Sequence, residues 1–203
     1  MSNKQKLVGN LKRGRIFIVS APAGTGKTTL VSMLTKEFEQ VKVNVSCTTR
    51  QPRPYEIDGV HYHFLKKEDF EEKIKRGDFL EHVLLYGDHY GTSLKFIEEI
   101  LQKGQHVVLV IDTQGALMLM GKIEAAYIFI LPPSKEELQR RLESRGTEKK
   151  EVMQERLRIA EREINEAHRY DYQIVNDDLS CAYQVLRSII IAEEHKHLLI
   201  EIK

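Results

Sequence analysis

Short apolar runs alternate with helical stripes along this chain. Arg15-Ile16-Phe17-Ile18-Val19 is almost continuously apolar and β-branched, as a strand buried on both faces should be. After a turn of small residues, Leu30, Val31 and Leu34 recur at helical spacing, so the pattern predicts a strand over 15–20 and a helix over 27–38. A short strand over 41–45 follows. The same rhythm returns with strands over 106–112 and 127–131, the latter stopped by Pro132-Pro133. Ser134 with Glu137 forms a capping box for a helix over 134–145, with Leu138 and Leu142 facing inward. A helix carrying Arg156, Arg158 and Arg162 comes next, then a strand over 172–176. The closing helix has Leu179, Ala182, Tyr183, Leu186 and Ile190 as an amphipathic stripe. This order predicts an α/β fold with a parallel sheet flanked by helices.

Residues 46–96 break the rhythm. Ser46 to Pro54 is polar and punctuated by proline, reading as a loop. Val60-His61-Tyr62-His63-Phe64 alternates in the manner of an antiparallel strand, 67–76 reads as a helix and 80–86 as another strand. Tyr90-Gly91-Thr92-Ser93 leads into a helix over 93–103. The segment is predicted to be an inserted substrate-binding lobe of mixed structure.

With 203 residues the chain suits one lobed domain, and its net charge of +1 provides no global field for nucleic acid or an anionic membrane. Cys47 and Cys181 are isolated, which argues against a disulfide framework or a thiolate metal site and for a reducing, cytoplasmic setting. Residues 1–14 lack the apolar core of a signal peptide, and no apolar run approaches membrane-spanning length. The eight histidines show no ligand spacing with supporting carboxylates or thiolates, so structural or surface roles are expected.

The chemistry concentrates at Ser20-Ala21-Pro22-Ala23-Gly24-Thr25-Gly26-Lys27-Thr28-Thr29. A strand before it and a helix after it turn this Walker A spacing into a structural prediction, a P-loop NTPase-type core binding a nucleoside triphosphate. Backbone N–H groups of the turn and the helix N-terminus would cradle phosphates. Lys27 would supply a positive charge for the β- and γ-phosphates, and the Thr28 hydroxyl is a candidate Mg²⁺ ligand. Ala21 stands where the first glycine of the pattern falls, a cost only if that position needs a positive φ. The strand over 106–112 ends in Asp112, placed as a Walker B-like acid to hold Mg²⁺ directly or through water. Arg50 and Arg53 frame the rigid Pro52 and read either as a clamp for a phosphate dianion or as a solvated loop. Arg141 and Arg145, four apart on one helix, meet the same choice, because glutamates are plentiful along both arginine-bearing helices.

Together these motifs resemble the guanylate kinases over most of the chain, from Ile18 to about Leu186. The carriers are Ser20 to Thr28, Ser46-Cys-Thr-Thr-Arg-Gln-Pro-Arg53, Tyr90-Gly-Thr92, Asp112-Thr-Gln-Gly115, Pro132-Pro-Ser134 and Val175-Asn-Asp-Asp178. The resemblance implies one domain, with a core over 15–45, 97–145 and 157–196, a GMP-binding lobe over 46–96 and a lid over 146–156. It implies transfer of the ATP γ-phosphoryl group to GMP with Mg²⁺, by a monomer or homodimer. Arg50, Arg53, Tyr62 and Tyr90 match the positions that hold the monophosphate, and Ser46, Glu81 and Thr92 those that read the base. Lys27, Arg141, Arg145 and Arg156 match residues reaching the transferring phosphates, and Asn176 a position on the ATP side. Many members carry Asp-x-Asp where this chain has Val110-Ile111-Asp112, so Val110 replaces the first acid. A non-catalytic scaffold module of the same type and a same-fold kinase of a sugar phosphate are the alternatives. The first typically loses the phosphate loop, and the second has no use for Glu81 with Ser46 and Thr92.

Overall fold

The computed structural model describes residues 6–85, 87–143 and 150–196. Strand β1 (Ile16–Ser20) is central in a parallel sheet completed by β2 (Val41–Val43), β7 (His106–Val110), β8 (Ala126–Leu131) and β9 (Tyr172–Val175), in the order β2-β7-β1-β8-β9. Pleating divides β1 between two cores. Phe17 and Val19 join one cluster with Leu30, Val31 and Leu34 of α1 (Lys27–Glu37) and Leu186 and Ile190 of α7 (Leu179–His195). Ile18 joins the other, with Ile97 and Leu101 of α3 (Leu94–Gln102) and Ala116 and Leu119 of α4 (Thr113–Leu119). A sheet covered on both faces explains why its strands read as unbroken apolar runs. Val110 packs half-buried against the first cluster, so that face receives a methyl pair where an acid would have needed a partner.

The inserted lobe is a second sheet of β3 (Cys47–Thr48), β4 (His63–Phe64), β5 (Phe79–Leu85) and β6 (Asp88–Ser93), in the order β4-β3-β6-β5, with α2 (Lys67–Arg76) packed on β5. Three predictions need correction here. The alternating segment over 60–64 yields strand only at His63–Phe64, and it pairs parallel with β3. The predicted loop at Ser46 includes β3, and Asp88–Ser93 is a full strand antiparallel to β5. Gly91 in β6 is buried because Phe70 and Phe79, stacked with centroids 4.5 Å apart, occupy the space; a Cβ would meet both rings at 2.9 Å. In the core, β7 stops at Val110 and α4, which periodicity missed, begins after Asp112. Helices α5 (Lys135–Glu143) and α6 (Lys150–Asn165) follow the capping-box and arginine-rich segments, and Ser134 Oγ accepts from the Glu137 N–H at 3.1 Å. Arg145, residues 146–149 of the expected lid and residues 197–203 lie outside the described residues. No described helix is long and apolar enough to cross a membrane.

The base of the core is tied by a buried pair separated by 88 positions in sequence. The Arg15 N–H donates to His106 Nδ1 at 2.9 Å, which leaves the ring proton on Nε2, 2.5 Å from Glu194 Oε2. Glu194 Oε1 accepts from the Gly9 and Asn10 N–H groups at 3.1 and 2.6 Å and from Asn10 Nδ2 at 2.9 Å. Burial lowers the His106 pKa. Burial pushes Glu194 up, but the Asn10 bonds and His106 outweigh it and leave the carboxyl below its usual range. Both shifts favour the folded state at high pH: that stability is complete above the ordinary histidine value of 6.5 and is lost as pH falls through the lower folded value. His106→Gln should therefore cost about 2 kcal/mol at pH 8, measured by urea unfolding. The gap to the parent should shrink as pH drops below 6.5. A gap that stays constant to pH 5 would contradict this role.

Candidate active site

The phosphate loop lies at the carboxyl end of β1, where open parallel sheets bind ligands. Thr25 is buried, and its hydroxyl donates to the Pro22 carbonyl at 2.8 Å, closing the loop on itself. Ala21 is also buried and its methyl belongs to the core, so the departure from glycine serves packing. Gly24 and Gly26 have φ of 90° and 91°, a region that other residues adopt at a cost. At Gly26 there is a second reason. The Asn176 Nδ2 donates to the Thr25 carbonyl at 2.6 Å, and a Cβ on Gly26 would lie 2.5 Å from that nitrogen. Gly26 caps α1 without a side-chain bond, leaving first-turn N–H groups to an anion. Ala23, Thr28 and Thr29 line the exposed rim.

The Lys27 ammonium donates to the Ala21 carbonyl at 3.0 Å, folded against its own loop. The residue keeps partial access to solvent along its length, but burial of the charged end lowers its pKa, opposed by the charges of Glu163 and Asp112. Glu163, on α6, is the acid that periodicity left among solvated partners. Its Oε1 accepts from Thr113 Oγ1 at 3.3 Å, and burial raises it to about 7 against the pull of Lys27. Asp112 Oδ1 accepts from the Gly115 N–H at 2.8 Å, making Asp112 the N-cap of α4. Its expected place at the sheet edge holds, with a structural duty the sequence did not reveal. Thr28 and Asp112 offer hard oxygens, the donor class Mg²⁺ takes. Among the described residues no group of three or more His, Cys, Asp or Glu side chains gathers as a metal cage. Mg²⁺ commonly binds through one or two carboxylates and substrate phosphates.

In the lobe, Arg50 is fastened from several sides. Its Nη2 donates to Glu56 Oε1 at 2.8 Å and its Nη1 to the Gln51 carbonyl at 2.7 Å, and the guanidinium lies 5.5 Å from the Tyr62 ring centroid. Tyr62 in turn meets the Tyr90 ring edge-on at 6.0 Å. Glu56 was not anticipated; Oε2 also accepts from the Arg53 N–H at 2.8 Å, so one carboxylate shapes both arginine positions. The Arg53 side chain is more exposed and reaches Tyr55 at 3.4 Å rather than the Arg50 group. Deeper in, Glu81 and Thr92 are register partners on β5 and β6, and Thr92 Oγ1 donates to Glu81 Oε1 at 2.6 Å. Burial raises the Glu81 carboxyl to about 7, with the Thr92 bond pulling down and Asp112 pushing up. Ser46 Oγ accepts from Asn44 Nδ2 at 3.4 Å; Asn44 is a further partner that no pattern disclosed.

A family model described as guanylate kinase matches residues 13–193. The chain belongs to the guanylate kinase family. It is 56% identical over 190 residues to the guanylate kinase of Protochlamydia amoebophila, covering 94% of this chain and 96% of that protein. It is 53% identical over 183 residues to the Chlamydia trachomatis serovar D guanylate kinase, covering 90% and 89% respectively. The crystal structure of guanylate kinase from Anaplasma phagocytophilum aligns with a TM-score of 0.75 at 34% identity, over 92% of this chain and 89% of the other.

Family membership gives the arginine-bearing helices a context. Arg141 Nε donates to Glu137 Oε1 at 2.7 Å and its Nη2 to the Asn176 carbonyl at 3.1 Å. Asn176 thus bridges the phosphate loop and α5, and Arg141 is linked to that loop through Asn176. Arg158 instead pairs with Glu155 at 3.1 Å on an exposed face, as the solvated alternative holds for that position. Arg156 is half-buried on α6.

Proposed function

We propose that this chain transfers the γ-phosphoryl group of ATP to GMP, giving ADP and GDP. The observation that carries the reading is a complete phosphate loop in the same chain as a lobe holding a fixed guanidinium and a buried carboxylate. The proposed ATP side comprises Ala21 to Thr29 with Asn176. On the GMP side Arg50, Arg53, Tyr62 and Tyr90 take the monophosphate, while Glu81, Thr92 and Ser46 take the guanine. A phosphate oxygen of GMP attacks the γ-phosphorus as the bond to the ADP oxygen breaks. That oxygen is already ionised, so no general base is needed, and alignment and charge neutralisation remain as the work. Lys27 and the arginines at 141, 145 and 156 counter the charge of the two nucleotides. Thr28 and Asp112 would hold Mg²⁺, which when bound supplies further neutralisation of the phosphate oxygens. We place the reaction in the cytoplasm, in keeping with free Cys47 and Cys181. Equal production of ADP and GDP from ATP with GMP tests the reaction.

Glu81 gives a sharper test of the site. An ionised carboxylate can accept from guanine N1–H and the 2-amino group together, whereas a protonated one cannot. With the acid raised to about 7, binding GMP below that pH requires loss of a proton. The KM for GMP should therefore rise as pH falls through about 7, approaching tenfold per unit. The GMP phosphate titrates near 6, but its contribution persists in Glu81→Gln, so the variant should lose only the upper part of the profile. Identical profiles in parent and variant would remove Glu81 from base recognition.

A further inference from the structure

We infer that Gly115 is a positioning residue for base selection, because its missing side chain leaves the Glu81 carboxylate its seat; this rests on the reading of Glu81 as the group that accepts from guanine. Gly115 is buried in the first turn of α4, the helix that packs against β5. Its backbone is not in the left-handed region, so the fold of the turn does not call for glycine. Within a helix glycine is less favourable than alanine, and the neighbour supplies the reason for it. A Cβ at this position would lie 2.9 Å from Glu81 Oε2 and 3.3 Å from its carboxyl carbon, with Ile111 Cδ1 next at an ordinary 3.7 Å. The other oxygen, Oε1, accepts from the Thr92 hydroxyl at 2.6 Å. The carboxylate is wedged between β6 and α4, and it is the one soft group that an added methyl would displace. The same glycine donates its N–H to Asp112 Oδ1 at 2.8 Å. One residue therefore spaces the acid that reads the base from the acid at the phosphate end, and the cost of a methyl falls on selectivity rather than on folding.

The test is a double-mutant cycle on the full chain, with KM and kcat measured for GMP, AMP and ATP and thermal unfolding followed in parallel. Gly115→Ala should raise the KM for GMP and narrow the GMP-over-AMP ratio of kcat/KM, each by about tenfold, since small misplacements of a positioning group are costly. The KM for ATP should stay within about twofold and the melting temperature close to the parent's. In a Glu81→Gln background, adding Gly115→Ala should change the ratio by less than about twofold, because coupled residues are not additive. If Glu81→Gln narrows the ratio and Gly115→Ala does not, the inference fails and the reading of Glu81 stands. If Gly115→Ala acts equally in both backgrounds, it acts through something other than Glu81 and the inference fails. If Glu81→Gln leaves the ratio unchanged, both fail. A Gly115→Ala protein that does not fold also overturns the inference, since the displacement would not have been confined to the carboxylate.

Discussion

Lys27→Ala is expected to lower kcat by roughly 10²–10³-fold, the range seen when one preorganised donor to developing charge is removed. A hundredfold loss corresponds to about 2.7 kcal/mol. The size of the effect follows from surroundings and not from charge alone. The ammonium donates to the Ala21 carbonyl at 3.0 Å, a partner belonging to the loop that would wrap the phosphates. It is desolvated, which lowers its pKa, while Glu163 and Asp112 favour the charged form. A cation held in dry surroundings acts on nearby phosphates with little screening. Because the charge matters most as the γ-phosphoryl group moves, kcat should fall far more than the KM for GMP rises. Arginine is no substitute, since its planar fork cannot occupy the space of a compact ammonium. Steady-state kinetics of the purified variant, with its melting temperature as a control, checks the claim. Turnover within threefold of the parent would take Lys27 out of the mechanism.

Glu81→Gln is expected to reduce kcat/KM for GMP by at least tenfold, about 1.4 kcal/mol, and to narrow the GMP-over-AMP ratio by more. Guanine offers two adjacent donors, and the carboxylate is an acceptor only. Above pH 7, where Glu81 is ionised, adenine turns a lone pair toward it and leaves a buried charge unpaired, and sites built this way reject the wrong ligand by roughly 10⁴–10⁵-fold. An amide can rotate to offer N–H to adenine, so the variant loses on GMP and gains on AMP. The Thr92 bond refines this account. The Thr92 hydroxyl donates to Glu81 Oε1, so it orients the acid, and on the proposed reading Ser46, with Asn44 donating to its oxygen, would be the donor toward guanine O6. With Val110 half-buried against the core where an acid would stand, discrimination is expected to fall more heavily on Glu81. A ratio unchanged in Glu81→Gln would mean that the base is read elsewhere.

The core was legible because its physics is local. A strand buried on both faces must be apolar throughout, and a loop with two glycines at positive φ ahead of a helix has few other readings. The lobe was harder. Asp88–Ser93 contains no β-branched residue but Thr92 and carries His, Gly and Ser; it is a strand because β5 and β3 bond to both its edges. Helix α4 escaped notice since Asp112 already had a role as an acid, and its capping of Gly115 is the same carboxylate used a second way. The polar residues that secure the site were the least visible. Glu56, Glu163 and Asn44 look like any polar residue in a loop or on a helix, and what distinguishes them is a neighbour: Arg50, Thr113 or Ser46. Glu194 and His106 met only through the fold.

The central claim is that a phosphate loop and a guanine-reading lobe act on one substrate pair. It is tested most directly by offering the chain ATP and Mg²⁺ with GMP, AMP, CMP or UMP in turn and measuring ADP formation in a coupled assay. The account predicts rapid turnover with GMP and, for the other three, kcat/KM lower by roughly 10⁴-fold. Comparable rates with AMP, or no turnover with any of the four, would contradict it.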